Sequence, residues 1–266
     1  MMASGVESRV EALRRSGPEE DFIRCYMVRK KGLFGGASSF EVYLESGNHF
    51  LLAARRRKKT KSASYVISHD VEALTRGSDA CVAKLKASSV SGYQYQLWGR
   101  DDDVDGAKKG FGRQDMVIDY AMLENGTKGG PRGMQIILPV PESGWQPAAP
   151  DGDDSLSALV EAARLKSVPP RLEANIMCLM SKQPRYDADA GSYVLDFQGR
   201  VTEASVKNFQ LVAWDHNADT TGEQPLVLFG KRGDNLFALD FRYPMSVETA
   251  FAVAISSVDS KLCFAV

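Results

Sequence analysis

The segment that most constrains the fold is SVETAFAVAISSVDS, residues 246–260. Wound as a helix, it leaves no continuous polar face, because apolar residues recur on every side: Val247, Ala250, Phe251, Ala252, Val253, Ala254, Ile255 and Val258. A helix that is apolar on nearly all sides must be buried on nearly all sides. The segment is shorter than the roughly 20 residues that a membrane-spanning helix needs. The rest of the protein therefore has to surround it.

Most of the remaining chain is predicted to form short antiparallel strands. Between residues 22 and 139, runs rich in β-branched and aromatic residues alternate with turns, as in DFIRCYMVRKKG and SSFEVYLESGN. The pattern returns later in NFQLVAWDHN and LFALDFRYP. A sheet curled around the apolar helix would bury that helix and remove the exposed edges of the sheet. The predicted fold is mainly β with an α component, in which the sheet encloses the C-terminal helix.

Two segments in the middle of the chain are predicted to be helices. The first follows Ser155, a residue type that caps helix N-termini, and ends before Pro169 and Pro170. Its apolar residues recur at helical spacing: Leu156, Leu159, Val160 and Ala163. The second segment is RLEANIMCLMSKQP, with the same spacing at Leu172, Ile176 and Leu179.

The N-terminal residues are interpreted as a lead-in to one large domain. A short helix is predicted over residues 5–16, and RRSGPEED interrupts it. We therefore divide the chain into a lead-in of residues 1–20 and a domain of residues 21–266.

Positive charge is concentrated in one short segment. The net charge of the 266 residues is −1, yet six cations fall between positions 55 and 61: Arg55, Arg56, Arg57, Lys58, Lys59 and Lys61. The composition is otherwise ordinary for a globular protein. Neither a membrane span nor the apolar core of a signal peptide is visible, so a cytosolic or nuclear protein is expected.

The cysteines do not suggest a metal or redox site. Cys25, Cys81, Cys178 and Cys263 are far apart and form no CxxC pair. We expect reduced thiols, no metal and no cofactor.

Several segments resemble the Tubby family. SYVLDFQGRVTEASVKNFQLV (192–212) and FALDFRYPMSVETAFAVAISSVDSKLC (237–263) are similar to its two signature segments. FLLAARRRKKTKSASYVISHDVEALTRGSDACVAKLK and GPRGMQIILP are similar to its N-terminal half, so the resemblance covers about residues 22–264. It implies a single domain in which twelve antiparallel strands close around a hydrophobic C-terminal helix. It also implies binding of phosphatidylinositol 4,5-bisphosphate through basic residues on adjacent strands, and no enzymatic activity.

The same resemblance assigns the binding positions. Side chains alternate on a strand, so Arg55, Arg57 and Lys59 are predicted to share one face, with Arg56 and Lys58 on the other. The family's second binding strand corresponds here to AKLK, so the resemblance carries over Arg55 or Arg57 and Lys86, with Lys84 on the same face as Lys86. The predicted phosphoinositide site is therefore Arg55, Arg57, Lys59, Lys84 and Lys86. Lys86 stands where the family usually has arginine, which predicts weaker binding or weaker headgroup selectivity.

The family resemblance further implies how the protein is used. It predicts reversible tethering to the inner face of the plasma membrane by a monomer, with a signalling or membrane-protein trafficking role. The partners expected are the phosphoinositide headgroup, an anionic membrane surface and membrane-protein cargo. A cytoplasmic location at the membrane, with a nuclear one after release, would follow.

Two other readings of the basic run stay open. Runs of charge are usually solvated surface, although six cations without interleaved acids repel one another. RRRKKTK is also typical of a nuclear localisation signal or a nucleic-acid-binding surface. Nucleic-acid binders usually place aromatic rings beside their cations, and Tyr65 is the one aromatic residue close by in sequence.

The acidic segment DDDVDGAKKGFG, residues 101–112, imitates a calcium-binding loop. Asp101, Asp103, Asp105 and Gly106 match its early positions, but the position that needs a bidentate glutamate is Gly112. We predict an acidic surface loop. The sequence also lacks GxSxG, HExxH and the P-loop motif, and its three histidines lie in unrelated contexts.

Overall fold

The computed structural model describes residues 3–32, 38–58, 60–88, 93–101, 110–120, 133–149, 152–189, 191–214 and 223–259. The helices are α1 (Ala3–Arg14), α2 (Leu156–Arg164), α3 (Pro170–Glu173) and α4 (Val247–Val258). The first eight strands are β1 (Ile23–Lys30), β2 (Ser39–Leu44), β3 (His49–Arg56), β4 (Ser64–Ser68), β5 (Cys81–Ala87), β6 (Gln94–Asp101), β7 (Gly110–Asp119) and β8 (Gln135–Pro139). They are followed by β9 (Ile176–Ser181), β10 (Arg185–Asp187), β11 (Ser192–Val194), β12 (Phe209–Ala213), β13 (Val227–Gly233) and β14 (Leu236–Phe241).

Twelve of these strands form a closed barrel. Their order is β1-β14-β13-β12-β9-β8-β7-β6-β5-β4-β3-β2, and β2 pairs back onto β1. Neighbours in the barrel are antiparallel, while β10 and β11 form a separate two-stranded sheet. The predicted closed barrel is therefore confirmed.

Helix α4 fills the centre of the barrel, as its apolar surface predicts. Phe251 and Ile255 have no solvent-exposed surface. Ser246 and Thr249 form a capping box: Ser246 Oγ accepts from the Thr249 backbone N–H at 3.2 Å, and Thr249 Oγ1 accepts from that of Ser246 at 2.9 Å. These bonds satisfy backbone donors that would otherwise be buried without partners.

Helix α1 contacts the N-terminal end of α4. Leu13 is buried in the same core, and Arg14 Nε lies 3.3 Å from the carboxylate of the buried Glu248. The Gly17 backbone N–H donates to the carbonyl of Met245 at 2.8 Å. The first helix thus packs against the barrel, whereas the division of the chain at residue 20 stays a prediction.

Helix α2 lies on the outside of β7 and β8 and confirms the first predicted helix. Its four predicted apolar residues are buried, and they contact Val117 and Ile137 on the outer face of the barrel. The Ser155 Oγ accepts from the Ala158 backbone N–H at 3.2 Å, as expected for a cap.

The second predicted helix is wrong. Helix α3 covers only four residues, and β9 then runs between β8 and β12. Leu179 faces the barrel interior, whereas Ile176 and Cys178 face the apolar cluster beneath α2. Because both faces of β9 are covered, its apolar residues do not alternate with polar ones, and such a run does not distinguish a strand from a helix.

None of the helices in the described part of the chain is both long and apolar enough to cross a membrane. The cysteines that the structure describes are free thiols, with Cys25 and Cys81 buried and Cys178 half-buried. Burial raises the pKa of each of the three thiols above its ordinary value. Cys263 lies outside the described residues.

Candidate functional site

Four of the five predicted site residues lie together on the outer face of the barrel. Across β3, β4 and β5, Arg55 pairs in register with Val66, and Val66 pairs with Lys84. Arg57 follows the end of β3. Its backbone N–H donates to the carbonyl of Ser64, and Ser64 pairs in register with Lys86. Each arginine therefore shares a row with a lysine two strands away, about 10 Å across the sheet.

The opposite face of β3 points into the barrel, as the alternation predicts. Arg56 Nη1 lies 3.8 Å from Asp259 Oδ1, and the Tyr65 hydroxyl donates to Asp259 Oδ2 at 2.7 Å. Asp259 and Tyr65 are both buried. Arg56 is thus part of an internal polar cluster, whereas Arg55 and Arg57 are exposed. Lys58 is exposed just past the strand, and Lys59 lies outside the described residues.

A cleft runs between β3 and the loop of residues 69–80. It is open to solvent, has a volume of about 560 Å³ and is lined by Arg55, Arg56, Arg57, Lys58, Val66, Leu74, Thr75 and Arg76. Arg55 Nη2 donates to the Leu74 carbonyl at 2.8 Å, which ties the loop to the strand. Arg76 thereby joins the basic residues of β3 along one concave surface. We call Arg55, Arg57, Arg76, Lys84 and Lys86 the basic cluster.

Sequence reasoning missed three members of this surface: Arg76, Trp98 and Phe111. Lys84 pairs in register with Trp98 on β6, and its Nζ lies 5.6 Å from the centroid of that ring. The same Nζ lies 5.5 Å from the ring of Phe111, and Arg76 Cζ also lies 5.5 Å from Phe111. Tyr65, the aromatic residue close to the basic run in sequence, points into the barrel, so the rings beside the basic cluster are those of Trp98 and Phe111. In β6, the alternation of side chains places Trp98 on the outer face of the barrel, so the position of Trp98 could have been predicted from the sequence.

Ion pairs among the described residues do not include the basic cluster. In the described part of the chain, none of its five members has an acidic oxygen within ion-pair distance. Burial lowers the pKa of Lys84, and repulsion from Arg76, Lys86 and Arg57 lowers it further. An anion bound here would therefore gain attraction from several cations at once.

Other cations on the barrel do have acidic partners. Arg200 Nε lies 2.6 Å from an oxygen of Asp240, and its Nη1 lies 2.8 Å from Glu45. Lys231 forms an ion pair with Glu203. Among the described residues, the basic cluster therefore differs from these other basic side chains in having no acidic partner.

Metal binding finds no support among the described residues. They contain no group of three or more histidine, cysteine or acidic side chains that could hold a metal ion. Most of the calcium-loop-like segment, residues 102–109, lies outside the described residues, and Gly110 to Gly112 belong to β7.

Comparison with known proteins is consistent with the barrel. A sequence model of the Tub family matches residues 13–260. The chain belongs to the Tub family. This Tub family chain is 36% identical to "Protein king tubby 1" of Aedes aegypti over 252 residues, which is 92% of this chain and 58% of that protein. It is 34% identical to "Tubby-related protein 1" of Homo sapiens over 271 residues, which is 97% of this chain and 46% of that protein. The chain spans about half the length of these relatives, and neither of their names denotes an enzyme.

Proposed function

We propose that this protein is a phosphoinositide-binding module that tethers reversibly to anionic membranes. The observation that carries the proposal is the basic cluster: five cations from β3 and the residue after it, from β5 and from the 69–80 loop, with no carboxylate partner among the described residues. A closed barrel holds the strands in fixed register, so the cations stay together when no ligand is bound. Phosphate groups are the natural counterpart of such a surface.

Phosphatidylinositol 4,5-bisphosphate is the ligand that we propose. Two neighbouring phosphates match a cluster in which two rows each combine an arginine with a lysine. The guanidinium groups of Arg55 and Arg57 provide planar forks for phosphate oxygens, whereas Lys84 and Lys86 provide point charges. Lysine at position 86 should make the site less selective than one with arginine there.

Non-specific attraction to a membrane would be weak for this cluster. Each basic side chain near an anionic leaflet contributes about 1 kcal/mol, so five contribute about 5 kcal/mol, which corresponds to a dissociation constant above roughly 0.1 mM. Stable tethering therefore requires direct phosphate contacts in addition to general attraction. It also means that loss of the bisphosphate would release the protein.

The proposed location is the cytoplasm at the inner face of the plasma membrane, with passage to the nucleus after release. We further propose that the protein acts as a monomer, in signalling or in the trafficking of a membrane-protein cargo. Membership of the Tub family is the support for these roles.

The test is sedimentation with vesicles that contain either the bisphosphate lipid or phosphatidylserine at matched total charge. We expect the wild type to sediment with the bisphosphate and the Arg55→Ala/Arg57→Ala variant to stay in solution. Arg185→Ala/Lys207→Ala is the matched control, because it removes two positive charges outside the cleft.

Two outcomes would overturn the proposal. Equal binding to phosphatidylserine would show that charge alone recruits the protein. Stronger binding to duplex DNA than to either vesicle would favour the nucleic-acid reading of the basic strand.

A further inference from the structure

Phe111 lies between two members of the basic cluster that come from different segments. Its ring centroid is 5.5 Å from Lys84 Nζ on β5 and 5.5 Å from Arg76 Cζ on the 69–80 loop. The ring centroid of Trp98, on β6, lies 5.6 Å from the same Lys84 Nζ. Both aromatic side chains are half-buried. Two aromatic rings thus contact two cations that face no carboxylate among the described residues.

An aromatic ring holds a cation in a different way from a carboxylate. The face of the ring carries partial negative charge and attracts the cation, but the ring has no net charge. A carboxylate partner would cancel the positive charge and compete with an incoming phosphate, as Asp240 and Glu45 do for Arg200. Aromatic partners therefore hold Arg76 and Lys84 in place without adding negative charge that would compete with an anion.

The position of Arg76 is set by two contacts. Arg55 donates to the carbonyl of Leu74, two residues before Arg76, and this bond holds the loop against β3. The guanidinium group then lies over Phe111. A guanidinium has five N–H donors, and a contact with an aromatic ring does not use all of them, so donors remain for phosphate oxygens. Arg76 is exposed and lines the cleft from the side opposite to Arg55 and Arg57.

We propose that Arg76 is a further phosphate-binding residue and that Phe111 and Trp98 are positioning residues, which hold Arg76 at the cleft and Lys84 beside it without adding negative charge. The inference rests on the proposed function and extends it to a third arginine, contributed by a loop and not by a strand. The ligand is a multiply phosphorylated lipid headgroup. One of its phosphates is bound between the loop and β3, and the neighbouring phosphate lies towards Lys84 and Lys86.

The test compares single variants in sedimentation with bisphosphate-containing vesicles. Arg76→Gln should weaken binding about fivefold, the effect of one basic residue at an anionic surface. Arg76→Lys should restore part of the loss. Phe111→Leu, which keeps apolar volume but removes the ring, should weaken binding about two- to fivefold, while Phe111→Tyr should bind as the wild type does.

Phe22→Leu is the matched control for loss of a ring. Phe22 lies 5.5 Å beneath the Arg242 guanidinium, which does not line the cleft. Its removal should leave vesicle binding unchanged.

A second measurement separates positioning from a merely structural role. The Lys84 ε-methylene signal is titrated by NMR, with and without soluble inositol 1,4,5-trisphosphate as the probe. Arg76→Gln should raise the pKa of Lys84, because one of the charges that lowers it is removed. The probe should raise the pKa of Lys84 in the wild type and raise it less in Phe111→Leu. A purely structural Phe111 would change thermal stability without changing this response.

The results separate the two proposals. If the wild type does not sediment with bisphosphate-containing vesicles, both the proposed function and this inference are wrong. If Arg55→Ala/Arg57→Ala abolishes binding while Arg76→Gln and Phe111→Leu bind as the wild type does, only this inference is overturned. If Phe111→Leu does not fold, the binding of Arg76→Gln is the test, because this substitution changes an exposed residue and should not affect folding.

Discussion

Removing the Phe251 ring should destabilise the whole domain. The side chain lies in the middle of α4, has no exposed surface and belongs to the core cluster that the strands share with the helix. A closed barrel cannot collapse far onto the space that the ring leaves, so Phe251→Ala should create a cavity. Substitutions of this type cost about 3–5 kcal/mol, out of the roughly 5–15 kcal/mol that typical domains possess.

Urea unfolding followed by far-UV circular dichroism measures this loss. At about 2–4 °C per kcal/mol for a chain of this size, the midpoint of thermal unfolding should fall by roughly 6–20 °C. Leu165→Ala is the control, because Leu165 is 65% exposed and should cost little. Vesicle binding per folded molecule should not change, since α4 lies inside the barrel and the basic cluster lies outside. A loss below about 1 kcal/mol would refute the central, fully enclosed position of the helix.

Three further predictions follow from other contacts. Burial raises the pKa of Glu248 to about 7 in the folded protein. The protonated carboxyl therefore contributes to the free energy of unfolding at low pH, and this contribution is lost as the pH rises from the ordinary pKa of a glutamate towards 7. In urea unfolding, the free energy of unfolding of the wild type should fall between about pH 5 and pH 7.5, and that of Glu248→Gln should fall less. Equal pH dependence in both proteins would contradict this. Tyr65→Phe removes the hydrogen bond to the buried Asp259 and should cost about 1–3 kcal/mol in urea unfolding; an unchanged midpoint would mean that the bond is not formed in solution. Raising the salt concentration should release the protein from phosphatidylserine vesicles before bisphosphate vesicles, and parallel release curves would argue against a defined phosphate site.

The alternation of strands made part of the candidate site predictable. Exposed Arg55 and inward-facing Arg56 on β3, and exposed Arg57 directly after it, have the faces expected from a period of two. The same rule places Lys84 and Lys86 outside on β5. Periodicity failed on β9, because the apolar cluster beneath α2 covers its outer face, so polar residues do not alternate with apolar ones there.

The loop and aromatic parts of the site depend on contacts between distant segments. Arg76 reaches the cleft because Arg55 fixes the loop at Leu74, and Phe111 meets Arg76 and Lys84 because β7 lies beside β6. No local spacing in the sequence brings residues 76, 84, 98 and 111 together.

The sequence by itself determined the need for a barrel: a short helix with no polar face must be enclosed, and short strands that close on themselves can enclose it. It also determined which arginines of β3 face solvent, because alternation is a property of any extended backbone. Only the tertiary structure decided which segments supply the remaining cations and rings. Strand register and loop docking depend on the packing of the whole barrel, so residues 35 positions apart, such as Arg76 and Phe111, meet only after it has closed.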